Sequence, residues 1–178
     1  VEKENHLLAA CDIPISVPGD VTTSAYGVIL WILTATELKP NDRVLICGAK
    51  GGMTAVLAKH IVGDNGEVSV IEWNEETAQW ARDSIARHGF KPDSIKVTLQ
   101  DDVTVGSGDE GYWNTIIMNG SIPKIPYSLL DQLDDEEGRI LFFMQNHRQS
   151  QTCWVVHKNE SIVTQKELSR FRFTPIYG

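Results

Sequence analysis

The fold is decided by the stretch Arg43–Gly52, which reads RVLICGAKGG. A short apolar run ends at a cluster of glycines, and a run with helical periodicity, Met53–Ile61, begins directly after it. This order is typical of a parallel strand that passes through a tight turn into a helix. Glycines in such a turn allow the backbone to approach a ligand closely, because no Cβ lies in the way.

A second apolar run, Val68–Ile71, ends in Glu72, twenty residues after Gly52. An acidic side chain at the tip of the neighbouring strand can accept hydrogen bonds from both hydroxyls of a ribose. The two features together predict a nucleoside-containing cofactor. The alternative is that the glycines serve only the close packing of a helix on a strand.

The spacing of the glycines narrows the choice of nucleoside. A dinucleotide-binding turn needs glycine at its first, third and sixth positions, and counting from Gly48 these are Gly48, Lys50 and Met53. The phosphate-binding G-x-x-x-x-G-K-[ST] loop is absent as well. S-adenosylmethionine carries no phosphate and needs only close backbone approach and a ribose acceptor, so it is the cofactor that the pattern favours.

Composition and charge restrict the class of protein. The 178 residues predict one domain, 1–178, with residues 1–20 as an N-terminal arm. A net charge of −8 argues against a broad nucleic-acid surface, and no apolar run is long enough to span a membrane.

Cys11, Cys47 and Cys153 are too widely spaced for a disulfide framework and indicate reduced thiols, hence a cytoplasmic protein. The histidines match no zinc spacing, so no metal site is expected.

The periodicity along the chain predicts alternating strands and helices. Helices are expected from near Ser24, over Met53–Ile61, from Asn74 to His88 and after Pro126; strands are expected up to Cys47 and over Val68–Glu72, Ile95–Leu99, Trp113–Met118 and Arg139–Met144, followed by a hairpin of Gln151–His157 and Ile162–Leu168. The predicted core-facing residues of the first two helices are Tyr26, Ile29, Leu30 and Leu33, then Met53, Val56, Leu57 and Ile61.

This alternation predicts an α/β fold, a Rossmann-like, doubly wound and mostly parallel sheet with a C-terminal antiparallel hairpin. Ligands of such sheets bind at the carboxyl ends of the strands. Gly48–Gly52, Glu72, Asp101 and Asn119 all fall at such ends. Their coincidence at one edge is stronger evidence for a site than any one of them alone.

With these residues in view, the chain resembles the protein-L-isoaspartate O-methyltransferases, within the class I S-adenosylmethionine-dependent methyltransferases. The similarity runs from about Ile13 to Ile176. The segments that carry it are Thr22-Thr23-Ser24, Leu38–Leu45, Glu72, Asp101, Ile122–Pro126, Leu130–Leu133 and Phe171–Pro175.

The resemblance implies transfer of a methyl group from S-adenosylmethionine to the α-carboxylate of an isoaspartyl residue in a peptide or protein. It implies cofactor contacts at Thr22, Thr23, Gly48, Ala49, Lys50, Gly52, Glu72, Trp73, Asp101 and Asp102. In this family Ser24 would orient the acceptor carboxylate, and Asn119 would lie beside the substrate. For Ser24 the alternative is a plain helix cap.

Two departures from the family keep other interpretations open. Ile46 stands where the family usually has an acid, and Lys50 replaces the middle glycine of the loop. Lys50 could pair with the cofactor carboxylate or obstruct the pocket. The chain is therefore interpreted as an active carboxyl methyltransferase or, alternatively, as a degenerate binding or regulatory module. The acidic charge weakens a third interpretation, a methyltransferase acting on RNA or a small molecule.

Overall fold

The computed structural model describes residues 8, 11–91, 93–108, 111–124, 127–145, 151–160, 162–173 and 175–176. Nine of the first ten residues of the predicted arm, and Pro126 at the predicted start of the short helix, lie outside them. In chain order the elements are β1 Ser16–Val17, β2 Val21–Thr22, α1 Tyr26–Ala35, β3 Arg43–Cys47, α2 Met53–Val62, β4 Glu67–Glu72, α3 Glu75–Arg87, β5 Lys96–Leu99, a 3-10 turn Val103–Val105, β6 Thr115–Ile122, α4 Tyr127–Leu130, β7 Gly138–Gln145, β8 Gln151–Asn159 and β9 Ile162–Phe171.

Strands β3 to β9 form one sheet in the order β5-β4-β3-β6-β7-β8-β9. The five strands from β5 to β7 pair in parallel, whereas β8 pairs antiparallel with β7 and with β9. The predicted mostly parallel sheet with a C-terminal antiparallel hairpin is therefore confirmed. Strand β3 lies at the position where the direction of winding reverses, between β4 and β6.

The core has two layers because β3 is buried on both faces. Val44 and Ile46 point towards α1, α2 and α3, whereas Leu45 and Cys47 point towards the 3-10 turn and α4. Successive side chains of a strand alternate between faces, so an unbroken apolar run such as this one suits a central parallel strand. Burial raises the pKa of the Cys47 thiol above its ordinary range, which keeps the thiol protonated.

Helix α3 begins as the sequence predicts. The Oδ1 atom of Asn74 accepts a hydrogen bond of 3.0 Å from the Thr77 amide, and Glu75 and Glu76 occupy the first turn. Ala78, Ala81 and Ile85 are buried. This helix packs on β4 and on α2, which fixes the strand end that carries Glu72.

The start of α1 differs from the prediction. The helix begins at Tyr26 with Ala25 as its N-cap, and no side chain caps it. Thr22 instead pairs in β2, and the hydroxyl of Thr23 accepts a hydrogen bond from the Ile15 amide. The interpretation of Ser24 as a helix cap is therefore wrong.

The predicted core faces of α1 and α2 were only partly right. Tyr26 and Leu30 are exposed and Ile32 is buried in their place, because α1 is apolar on nearly all sides and its periodicity does not mark the buried face. Ile61 is exposed as well, and α2 continues to the buried Val62.

Strand β6 is longer than predicted. It continues through Asn119, Gly120 and Ser121 to Ile122 instead of ending at Met118, and every one of its residues is buried. Its pairing with β7 shifts register between Ile117 and Ser121. Asn119 therefore lies within the strand, at its carboxyl half, and not in a following loop.

Candidate active site

The candidate site lies where the carboxyl ends of β3, β4 and β6 meet. The Nδ2 atom of Asn119 donates a hydrogen bond of 3.1 Å to the Gly48 carbonyl, and the Gly48 amide donates one of 2.8 Å to Ile71. These two bonds tie the three strand ends together at the point where the winding reverses. Such a point is the usual binding crevice of an open α/β sheet.

The glycine loop is a tight turn closed by a 2.8 Å hydrogen bond from the Gly52 amide to the Ala49 carbonyl. Both central residues have positive φ, +41° at Lys50 and +86° at Gly51. Glycine adopts this conformation without strain, whereas a lysine there costs about 1 kcal/mol or more. A Cβ at Gly52 would lie 3.2 Å from the Ala81 carbonyl oxygen, so Gly52 is also required for the packing of α2 on α3.

Glu72 connects the loop to the end of β4. Its Oε2 atom accepts a 2.7 Å hydrogen bond from the Ala49 amide, and Oε1 accepts bonds from the amides of Trp73 and Asn74. The side chain is 2% exposed. A carboxylate has about four acceptor positions, so three are used by the backbone and one, on Oε2, remains for a ligand hydroxyl.

The two aspartates after β5, Asp101 and Asp102, lie in different environments. Asp101 is exposed, whereas Asp102 caps the 3-10 turn through bonds of its Oδ1 atom to the amide and hydroxyl of Thr104. The Gln100 amide donates a 2.9 Å hydrogen bond to the Glu72 carbonyl, which holds this segment beside the end of β4. Trp73 is half-buried against the core layer of the 3-10 turn and α4.

The segment before α1 lies against the glycine loop. Thr22, Thr23 and Ser24 line a cavity of about 80 Å³ together with Lys50, Arg172 and Phe173, and for the last two the sequence predicted no role in the site. The structure therefore gathers the predicted Thr22–Ser24 motif and the predicted loop around one space. Ser24 contributes a buried Oγ atom that has no hydrogen-bond partner among the described residues.

Lys50 is buried at this cavity. Its side chain is 8% exposed, and its Nζ atom lies 5.0 Å from the centre of the Phe173 ring. Burial lowers the pKa of Lys50 to about 8, and the nearby Glu72 carboxylate acts in the opposite direction. Lys50 therefore remains mostly protonated at neutral pH.

Residues after β9 cover part of the site, a position that the local sequence did not predict. Phe173 stacks on Phe143 with ring centroids 3.9 Å apart. The Ile176 amide donates a hydrogen bond to the Ser121 carbonyl, and the Ile176 side chain would lie 3.5 Å from a Cβ placed on Gly48. The residues after β9 thus approach the loop from the β6 side.

Ile46, which replaces the usual acid, is 1% exposed within the core layer of α1, α2 and α3. It offers no charge to a ligand. Among the residues that the structure describes, no group of three histidine, cysteine or acidic side chains could hold a metal ion, and no helix is long and apolar enough to cross a membrane.

The comparisons with known proteins agree with this geometry. The family model described as protein-L-isoaspartate(D-aspartate) O-methyltransferase matches residues 1–178. The chain belongs to this family. It is therefore a member of a family of S-adenosylmethionine-dependent methyltransferases, as the sequence predicted.

The similar proteins are longer than this chain. A protein-L-isoaspartate O-methyltransferase of Methanococcus aeolicus is 29% identical over 100% of this chain and 80% of its own length. Protein-L-isoaspartate O-methyltransferase 2 of Archaeoglobus fulgidus is 30% identical over 96% of this chain and 75% of its own length. A solved protein-L-isoaspartate O-methyltransferase has a TM-score of 0.82 at 18% identity over 92% of this chain and 51% of its own, so the chain spans about half the length of that structure. The likeness confirms the class I methyltransferase fold.

Proposed function

We propose that this protein transfers the methyl group of S-adenosylmethionine to the α-carboxylate of an isoaspartyl residue in a peptide or protein. The observation that carries the proposal is the bond between Glu72 and the Ala49 amide, because it holds a carboxylate against the glycine loop at the winding reversal of a chain of this family. Family membership favours the enzyme over a degenerate binding module.

The residues around the loop fit a nucleoside cofactor. Glu72 would accept a ribose hydroxyl at its remaining position, and the half-buried Trp73 and the exposed Asp101 would lie towards the adenine, with Asp102 holding the shape of that segment. Asn119 has a buried Oδ1 atom without a partner among the described residues, next to Gly48. A buried unpaired acceptor costs about 1–3 kcal/mol, and a donor on the bound cofactor would satisfy it.

The chemistry needs little from the protein beyond alignment. S-adenosylmethionine supplies an activated methyl group when bound, and the acceptor carboxylate is already ionised and nucleophilic at neutral pH. The protein therefore needs no general base. Its residues hold the carboxylate oxygen in line with the methyl group and exclude water, and Ser24 with its unpartnered hydroxyl is the proposed orienting group.

The proposal also includes the methyl acceptor and the cellular compartment of the reaction. The partner is an isoaspartyl-containing peptide or protein, and we propose a reducing, cytoplasmic compartment, because the buried Cys47 and Cys153 are free thiols.

Calorimetric titration with S-adenosylhomocysteine tests the cofactor assignment. We expect Glu72→Gln to weaken binding by about 1–3 kcal/mol, because the amide keeps the size of the side chain but loses the negative charge and one acceptor. Glu76→Gln serves as the control, since Glu76 is an exposed acid in the first turn of α3 and its neutral form should leave the affinity nearly unchanged. Equal affinities of wild type and Glu72→Gln would remove Glu72 from the cofactor site.

A further inference from the structure

Lys50 is a buried cation whose charge no described residue neutralises directly. Among the described residues its ammonium group has no hydrogen bond and no ion pair; its contact is the face of Phe173 at 5.0 Å. Glu72 acts on it only through space. Buried charges in proteins are normally paired, because an unpaired one loses its hydration without compensation.

The polar groups beside Lys50, on Ser24 and Arg172, would also favour a bound anion. Ser24 and the exposed Arg172 line the same cavity, and the Ser24 hydroxyl is buried with no hydrogen-bond partner among the described residues. An ammonium and a guanidinium are donors only, and a hydroxyl can donate as well. The cavity, of about 80 Å³, has room for a carboxylate group.

The backbone at Lys50 points to the same conclusion. A lysine holds a φ of +41° in a turn where glycine would be free of strain. A strained residue that also carries a buried charge is an observation from which a functional role can be inferred. Both the positive φ and the buried charge of Lys50 lower the stability of the fold. This cost indicates that the ammonium group serves to bind a ligand.

We propose that Lys50, Ser24 and Arg172 form a carboxylate-binding site, with the Lys50 ammonium as its buried cation. The proposal deepens the proposed function, on which the identity of the ligand rests. Two carboxylates reach this part of a methyltransferase site, the amino-acid carboxylate of the cofactor and the α-carboxylate of the acceptor. Either carboxylate would pair with the Lys50 ammonium in the same way. An experiment is therefore needed to distinguish the two.

Binding measurements on the whole chain make this separation. Wild type and Lys50→Met are titrated with S-adenosylhomocysteine and with 5′-methylthioadenosine, which has the nucleoside but no carboxylate. They are also titrated with an isoaspartyl peptide and with the same peptide amidated at that α-carboxylate. Lys166→Met, an exposed lysine on β9, is the matched control.

We expect Lys50→Met to lose about 10-fold or more in affinity for a probe that carries the recognised carboxylate and to bind the carboxylate-free partner probe like wild type. Loss for S-adenosylhomocysteine assigns the cofactor carboxylate, and loss for the isoaspartyl peptide assigns the acceptor. Arg172→Met should lose less, because Arg172 is exposed to solvent. Unchanged or tighter binding of both carboxylate probes, or equal loss for the carboxylate-free probes, would overturn the proposal.

A second readout does not depend on methyl transfer or on cofactor binding. In protein labelled with carbon-13 lysine, the Cε resonance of Lys50, assigned with the Lys50→Met variant, is followed during titration with acetate. We expect a saturable shift at Lys50 that is absent at Lys166 and abolished by Ser24→Ala together with Arg172→Met. If wild type binds no S-adenosylhomocysteine, this shift still supports the carboxylate site while the proposed function fails. No shift at Lys50 would overturn the site itself.

Discussion

At the scale of single residues, Lys50 shows that one side chain can work against the stability of the fold. Burial lowers its pKa from 10.5 to about 8, so in the charged form the side chain is less stable in the folded protein than in the unfolded chain. This penalty is fully present below pH 8 and disappears as the pH rises towards 10.5. Its upper limit is about 3 kcal/mol, from 1.36 kcal/mol for each pKa unit.

We therefore expect Lys50→Met to be more stable than wild type at pH 7 by about 1–3 kcal/mol, and the difference to vanish near pH 10.5. Methionine is also unbranched and is only one atom shorter than lysine, so the part of the difference that varies with pH reports the charge. Urea unfolding of both proteins from pH 7 to 10.5 measures the difference, and titrations shared by the two proteins cancel. Lys166→Met should show no such trend, since Lys166 is exposed. A pH-independent difference for Lys50→Met would contradict the buried charge.

Glu72 shows how far a residue can be predicted from the sequence. Its place after a predicted strand and its acidic side chain were enough to expect it at the strand end beside the glycine loop, and the structure confirms that place. Its three backbone amide partners could not be predicted, because they depend on how the loop turns back towards β4. The same holds for Ser24, whose spacing suited a helix cap although the helix begins beyond it.

At the scale of elements, α3 is the helix whose local signals agree best with its structure. An asparagine cap, two acids in the first turn and a buried alanine stripe all indicate the same bounds, and tertiary contacts reinforce them. Helix α1 is the opposite case. Its sequence is apolar on nearly all sides, so periodicity could not distinguish Leu30, which is exposed, from Ile32, which is buried.

The cap of α3 supplies a test at this scale. We expect Asn74→Ala to lower the free energy of unfolding by about 1 kcal/mol, because the Thr77 amide loses its acceptor at the helix N-terminus. Asn74→Asp is the matched control, since aspartate accepts the same bond and favours the positive end of the helix dipole. Chemical denaturation of the three proteins measures the effect. Equal loss in both variants would show that another contact of Asn74 holds the helix in place.

The carboxyl half of β6 is the part of a strand that local sequence did not predict. The apolar run of β6 seemed to end where Asn119-Gly120-Ser121 begins, since these residues are typical of turns. They are buried in the strand instead because β7 pairs with Ser121, the Asn119 side chain bonds the Gly48 carbonyl, and the Ile176 amide bonds the Ser121 carbonyl. A polar turn signal can thus be overridden when the surrounding sheet satisfies the backbone.

At the scale of the whole molecule, the mostly parallel pairing of the sheet follows from the alternation of strands and helices, and the C-terminal hairpin from its two β-rich runs. The unequal cover of the two faces could not be predicted as readily. Three helices pack on one face, whereas the described part of the other face carries the 3-10 turn and the four-residue α4. The approach of Arg172, Phe173 and Ile176 to the glycine loop depends on the path of β9 across the sheet, which local sequence does not encode.

A methyl-transfer assay tests whether this chain methylates an isoaspartyl carboxylate. Tritiated S-adenosylmethionine is incubated with the protein and either an isoaspartyl peptide or the same peptide with an ordinary aspartate, and base-labile methyl esters are counted. We expect base-labile label on the isoaspartyl peptide well above the level on the aspartyl peptide, because only the former presents the α-carboxylate on the side-chain branch. Label on neither peptide, or equal label on both, from folded protein that binds S-adenosylhomocysteine would contradict the assignment.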